Sequence, residues 1–201
     1  MRVSVIIPYN KERGFLRQAI TSVEKQTHKD IEIVLSQGNY SCAENINRGL
    51  NRITGDYVKI LAEDDWLPPD SIENSLKCKA DFSHGNAWQV FSSGKVPYIS
   101  PVKEPTVDDL LRKYTIHGGT TLYKRKIFDS MGGFNQALDT AEEMEFHLRI
   151  LTAGYRIGYV NEFLHYYRRH PRQKSVGKNV NQAIRNRVKQ EIRDIYEFVK
   201  V

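Results

Sequence analysis

Apolar positions in the first sixty residues follow two rhythms. Val3 to Pro8, Ile31 to Leu35 and Asp56 to Leu61 are short, β-branched and apolar-rich. Runs of this length predict strands buried on both faces. Between them Phe15, Leu16, Ala19, Ile20 and Val23 recur at helical spacing within KERGFLRQAITSVEKQ, and Ile46, Leu50 and Ile53 form a second helical stripe. A Gly55-Asp56 turn launches the third strand. The order β-α-β-α-β at short spacing predicts an α/β protein with a mostly parallel sheet flanked by helices. Such sheets bind ligands beyond the carboxyl ends of their strands. Pro8–Asn10, Ser36–Asn39 and Glu63–Asp65 are therefore expected along one rim.

The second half is less regular. Asp70 to Lys77 reads as a short helix with Asp70 or Ser71 as N-cap. Residues 82–100 predict one or two strands, TVDDLLRKY a helix capped by Thr106, GTTLYKR a strand, and KIFDSMGGF a short helix ended by Gly132-Gly133. AEEMEFHLRILTAGY places Met144, Leu148 and Leu151 on one helical face and stops at Gly154, with Thr140 as candidate cap. RIGYV and FLHYYRR read as two further strands. At the end Ile184, Val188, Ile192 and Tyr196 stand four apart, which makes one amphipathic helix. The expected organisation is a main domain over 1–175, divided into a nucleotide-binding half (1–80) and an acceptor or catalytic half (81–175), followed by a basic helix over 176–201.

The chain has 201 residues and a net charge of +6, which suits one globular domain with an anionic partner. No nucleic-acid-binding module pattern is present, so a phosphate-bearing small molecule is preferred over nucleic acid. Cys42 and Cys78 form no CxxC pair, which argues against structural zinc and suits a reducing compartment. The N-terminal apolar run is too short for a signal peptide or a membrane span, so a cytoplasmic protein is expected. The tail cations Lys174, Lys178, Arg185, Arg187, Lys189 and Arg193 fit a docked helix with its charged face in water. The second reading of that helix is peripheral contact with an anionic inner membrane face.

The candidate chemistry starts at ILAEDDWLPPD, where Glu63, Asp64 and Asp65 follow a buried strand. Adjacent carboxylates disfavour one another's ionisation. Solvent relieves this in an acidic turn, and a divalent cation relieves it more strongly. Mg²⁺ and Mn²⁺ take hard oxygen ligands, commonly one or two carboxylates plus phosphates of a substrate. A position at the carboxyl end of a central strand favours the cation. G-x-G-x-x-G and P-loop phosphate cradles are absent.

VSVIIPYN, TGDYVKILAEDDWLPPD, HGGTTLYKRKIFDSMGGFN, AEEMEFHLRILTAGYRIGYV and YYRRH occur in the order seen in family 2 glycosyltransferases of the GT-A, Rossmann-like fold. The resemblance covers roughly residues 1–175. It implies an inverting transfer of a sugar from a nucleotide diphosphate, with UDP favoured, to an acceptor hydroxyl on a saccharide, lipid-linked molecule or protein, assisted by Mn²⁺ or Mg²⁺. Carried over by position, Pro8, Tyr9, Asn10, Glu12 and Gln37 would border the nucleoside. Asp64 would be the direct metal ligand of a DxD-like motif, Glu63 and Asp65 would assist through the metal or the donor ribose, and His170 would join the metal or diphosphate. Gly118 and Gly119 would let backbone approach the donor sugar or acceptor. Glu142-Glu143 would supply the catalytic base, with Glu143 taking the acceptor proton. Arg168, Arg169 or Lys174 would add positive field at the leaving diphosphate. Trp66 is expected to pack, whereas Trp88 and Tyr98 flank a stretch suited either to acceptor contacts or to the core.

Three positions depart from the family pattern. Gln37 stands where an aspartate usually reads the base, Ala62 where the acidic motif often begins, and Glu143 where the base is usually aspartate. These departures motivate an alternative, a catalytically impaired protein that binds nucleotide sugars or carbohydrate on the same fold. A nucleotidyltransferase is a third possibility, disfavoured by the lack of a glycine- and lysine-rich nucleotide loop.

Overall fold

The computed structural model describes residues 1–138, 140–173 and 182–199. Its strands are β1 (Val3–Tyr9), β2 (Ile31–Gln37), β3 (Tyr57–Ile60), β4 (Phe82–Phe91), β5 (Gly94–Tyr98), β6 (Leu122–Lys124) and β7 (Ile157–Arg168). Its helices are α1 (Leu16–Glu24), α2 (Cys42–Leu50), α3 (Ser71–Leu76), α4 (Val107–Arg112), α5 (Arg125–Met131), α6 (Glu142–Thr152) and α7 (Gln182–Val199), with a 3₁₀ turn at Gly118–Thr120.

All seven strands join one sheet in the order β2-β1-β3-β6-β4-β5, with β7 also paired to β4. β1 runs parallel to β2 and β3, β7 runs parallel to β4, and β6 is antiparallel to both β3 and β4. β5 closes an antiparallel hairpin on β4. Five strands therefore share one direction, and β1, β2, β3 and β7 end towards the same rim.

Apolar residues cover both faces. Ile6, Val58 and Tyr123 pack under α2, α4, α5, α6 and α7. Val3, Val5, Ile7 and Leu61 pack under α1 and α3. Burial on both faces explains why β1 is an unbroken apolar run. Val188 and Ile192 seat α7 on the larger cluster, and Arg193 Nε donates to Leu111 O at 2.7 Å. Ile184, at the start of the same predicted stripe, is instead exposed.

The local grammar holds in several places. Thr106 caps α4 in a reciprocal capping box with Asp109, and Gly132, at φ 71°, stops α5. Four expectations change. The first helix starts at Leu16 because Gly14 turns the chain at φ 89°. GTTLYKR contributes only a three-residue strand, since Gly118–Thr120 winds into the 3₁₀ turn. RIGYV and FLHYYRR are one strand, β7: its register on β4 jumps from Gly85↔Val160 to Asn86↔Phe163, so Asn161 and Glu162 bulge outwards without ending it. The N-cap of α6 is Ala141, not Thr140, and it sits in the left-handed region at φ 62°.

Candidate active site

The chain after β3 turns sharply, Asp65 N donating to Ala62 O at 3.1 Å. Trp66 then forms an antiparallel bridge with Tyr166 of β7, N–H to carbonyl in both directions, and the two rings stack 5.1 Å apart. That bridge draws the end of β7 across to the acidic triplet.

The three carboxylates consequently point to three different partners. Glu63 is buried and pairs with Arg13 Nε at 2.7 Å. Burial pushes its pKa up, and the Arg13 guanidinium opposes the shift. Asp65 is 4% exposed and has both oxygens engaged: Oδ1 accepts from Arg168 N at 2.8 Å, and Oδ2 lies 2.9 Å from His165 Nε2. Desolvation and the neighbouring Asp64 charge hold its pKa well above the usual carboxylate range. Asp64 faces the rim and meets His170, with Oδ2 3.0 Å from Nε2. Arg168 Nε donates to Asp64 O at 2.7 Å, and its guanidinium lies against Phe15 and Trp66.

Among the described residues, no three His, Cys, Asp or Glu side chains converge on one point suited to a metal. The donors present therefore fit no all-protein cage. They do fit a cation that takes most of its shell from phosphate, with Asp64 and His170 as the protein's share. Nδ1 of His170 accepts from Arg172 N at 3.2 Å, so Nε2 carries the proton and donates to Asp64. A cation on Nε2 requires that proton on Nδ1, so the Arg172 contact must yield.

At the ends of β1 and β2, Tyr9 and Gln37 are register partners, and the Tyr9 hydroxyl donates to Gln37 Oε1 at 3.4 Å. Pro8 is buried beneath them, while Asn10, Glu12 and Gln37 are exposed. Tyr9, Asn10 and Gln37 thus share the rim with Asp64. Lys174 and Lys178 lie outside the described residues.

Glu143 stands exposed in the first turn of α6, with its carboxylate against the Gly118 turn. Desolvation and the adjacent Glu142 push its pKa up to about 7, opposed by Arg185 of α7. Its carboxylate rests on the 3₁₀ turn so closely that a Cβ on Gly118 would lie 1.9 Å from Oε1. A Cβ on Gly119 would lie 2.5 Å from His165 Nε2. The two glycines are therefore the thin wall between Glu143 and the His165–Asp65 pair, and a side chain at either position would displace one of these groups. Arg169 N donates to Val90 O, and the Arg169 guanidinium sits over Tyr167. Trp88 stacks on Phe163, and Tyr98 donates to Thr115 O at 2.6 Å, so both are held in packing.

Sequence reasoning missed Arg13, Lys59, His165 and Arg185. Lys59 had a signal, a lysine in the middle of a strand read as buried on both faces. His165 lies within the apolar run FLHYY, and Arg185 stands three residues before the docked Val188.

No protein-family model matches the chain. In sequence it is 29% identical over 187 residues to a Rickettsia felis protein named as an uncharacterized glycosyltransferase, covering 74% of this chain and 31% of that protein. It is 25% identical to glycosyltransferase GlyA of Streptococcus pneumoniae over 73% of this chain and 23% of that protein. The chain thus spans a third or less of the length of these two relatives. In fold it matches Staphylococcus aureus TarS residues 1–349 in complex with UDP-GlcNAc, with a TM-score of 0.72 at 17% identity over 88% of this chain and 62% of that one. It also matches the mannosyltransferase PcManGT of Pyrobaculum calidifontis in complex with GDP-Man and Mn²⁺, with a TM-score of 0.60 at 16% identity over 99% of this chain and 63% of that one. This chain thus has the fold of these glycosyltransferase structures, and in sequence it is similar to proteins named glycosyltransferases.

Proposed function

We propose that this domain transfers a sugar from a nucleotide-diphosphate donor to an acceptor hydroxyl with inversion, as a glycosyltransferase of the family 2 type. The observation that carries the reading is Glu143, a carboxylate held near neutral pKa on the Gly118 turn, in the same structure that brings Asp64 to His170. Support comes from the fold neighbours bound to UDP-GlcNAc and to GDP-Man with Mn²⁺.

Residues 1–80 would hold the nucleotide, with Tyr9, Asn10, Glu12 and Gln37 bordering the nucleoside. UDP is the favoured donor on family resemblance. Asp64 and His170 would hold Mn²⁺ or Mg²⁺, and when bound that ion would supply charge neutralisation at the departing diphosphate. Arg168 and Arg169 stand beside the same rim and would add positive field. Residues 81–175 would receive the acceptor. Glu143 would remove the hydroxyl proton as oxygen attacks the anomeric carbon, while the bond to the diphosphate breaks on the opposite face. Desolvation, with the Glu142 charge beside it, raises the pKa of that base. Peripheral membrane contact through α7 belongs with a lipid-linked acceptor; no helix among the described residues is long and apolar enough to cross a membrane.

Donor hydrolysis tests this directly. Incubation with UDP-sugars and Mn²⁺ should release UDP, and Glu143→Gln should abolish the release. If nucleotides shift the melting temperature but no donor turns over with any divalent ion, the binding-protein reading replaces this one. That second reading has one observation in its favour: Glu63 and Asp65 are already committed to Arg13 and His165.

A further inference from the structure

The middle of β3 carries a lysine where its surroundings call for an apolar residue. Lys59 is 1% exposed. Its register partners are Val5 on β1 and Leu122 on β6, both in the apolar cluster beneath α1 and α3. Desolvation draws its pKa down to about 7, a measure of how unwelcome charge is there. An uncompensated amine would not persist in such a position.

The compensation lies at the tip of the side chain. Nζ donates to Gly119 O at 2.7 Å and to Thr121 O at 3.1 Å. Gly119 lies within the 3₁₀ turn and Thr121 directly follows it. The turn is also tied by Thr120 Oγ1 to His117 O and Thr121 Oγ1 to Gly118 O, at 2.7 and 2.6 Å. Its backbone amides close the ring, Thr120 N on His117 O and Thr121 N on Gly118 O. The Glu143 carboxylate bears on this turn at Gly118, and the His165 ring bears on it at Gly119. Two adjacent glycines have no side chain with which to hold themselves in place; Thr120 and Thr121 close the turn locally, and Lys59 anchors it to the middle of β3.

We infer that Lys59 is a positioning residue for the reaction: its amine braces the Gly118–Gly119 turn, and through the turn it fixes where the Glu143 carboxylate stands relative to the acceptor hydroxyl. It touches neither donor nor acceptor. The inference rests on the proposed glycosyl transfer for its kinetic consequence, but its structural half stands without it.

The test uses the full chain and two independent readouts. In Lys59→Met, the amides of Thr120 and Thr121 should exchange with solvent at least tenfold faster than in the wild type, while amides of α2 keep their rates. With UDP-sugar and Mn²⁺, kcat should fall tenfold or more while the donor KM stays within twofold, because Tyr9, Asn10 and Gln37, the residues assigned to the nucleotide, lie outside the braced turn. Lys59→Arg, which keeps donors for both carbonyls, should recover part of kcat. Unchanged exchange at Thr120 and Thr121 overturns the proposal. So does a raised KM with unchanged kcat, the mark of a general loss of structure. If Lys59→Met does not fold, Lys59→Gln, whose side-chain amide falls one bond short of the two carbonyls, is read the same way, and wild-type exchange in it overturns the proposal. A wild-type chain that turns over no nucleotide sugar defeats the glycosyltransferase reading alone, since the exchange measurement still decides the role of Lys59.

Discussion

Asp64 and His170 are 106 positions apart in the chain, and their side chains meet at 3.0 Å. The contact depends on the Trp66–Tyr166 bridge, which lays the end of β7 beside the turn after β3. Arg168 reinforces it from the same strand by donating to the carbonyl of Asp64 and, through its backbone N–H, to the Asp65 carboxylate. The rim is thus built from two segments that neither end of the chain could supply alone.

The Asp64–His170 pair makes metal dependence testable. Asp64→Ala should remove stimulation of donor hydrolysis by Mn²⁺. His170→Ala should keep some turnover but raise the Mn²⁺ concentration required by about tenfold or more, the range expected when one ligand or its support is lost. A Mn²⁺ titration of both variants is the measurement. Equal Mn²⁺ dependence in the wild type and Asp64→Ala would place the cation elsewhere.

Glu143 sets the expected pH dependence. With its pKa at about 7, the fraction able to accept a proton rises through neutrality, so kcat/KM should climb to a plateau with a midpoint near pH 7. Glu143→Gln should cost about 10²–10⁴-fold in kcat, the usual range for a general base. Stability runs the other way. The folded state keeps a proton that the unfolded carboxyl releases at its ordinary pKa of 4.5, so this group's contribution falls as pH rises from there to about 7. Melting curves across that interval should therefore flatten in Glu143→Gln relative to the wild type.

Gly118 should be intolerant of a side chain for a local reason. A methyl group there would stand 1.9 Å from Glu143 Oε1. Because the Glu143 side chain is accessible, it can swing away, so Gly118→Ala should melt within a few degrees of the wild type. Activity should fall about 10²-fold, the scale on which a misplacement of about 1 Å is felt. Wild-type turnover in Gly118→Ala would detach the base from this turn.

Far from the rim, Glu32 on β2 ties three elements together. Despite partial burial, which pushes its pKa up, hydrogen bonds from the Ser4 hydroxyl, the Thr54 N–H and hydroxyl and the Gly55 N–H pull it down to about 2. A depressed carboxylate stabilises the fold above its unfolded pKa of 4.5 and loses that contribution as pH falls through about 2. Glu32→Gln should cost on the order of 1–3 kcal/mol at pH 7. The difference between variant and wild type should shrink towards pH 2 in denaturant titrations. A constant difference at both pH values would contradict the assignment.

Several elements were legible in the chain. The three opening strands are recognisable because burial on both faces leaves room only for apolar side chains, and the stops at Gly132 and Gly154 are recognisable because both residues take positive φ. The continuity of β7 was not legible. Asn161 and Glu162 look like a loop, and only pairing with β4 shows that the strand bulges around them and resumes. Thr140 looks like the better cap, yet Ala141 takes that place in a left-handed conformation that no local preference predicts.

The sequence by itself determined the α/β architecture and the rim at which the ends of β1, β2 and β3 bring Tyr9, Gln37 and Asp64. These follow from local rules: strand burial, helical spacing, and charge collected at a strand's end. Tertiary structure alone decided the division of labour within the acidic triplet. Asp65 turns inward to His165, Glu63 binds Arg13, and Asp64 is left facing the rim with His170. Three adjacent carboxylates look alike in a sequence because their differences reside in partners about 50 to 106 residues away, which only the folded chain brings within hydrogen-bonding reach.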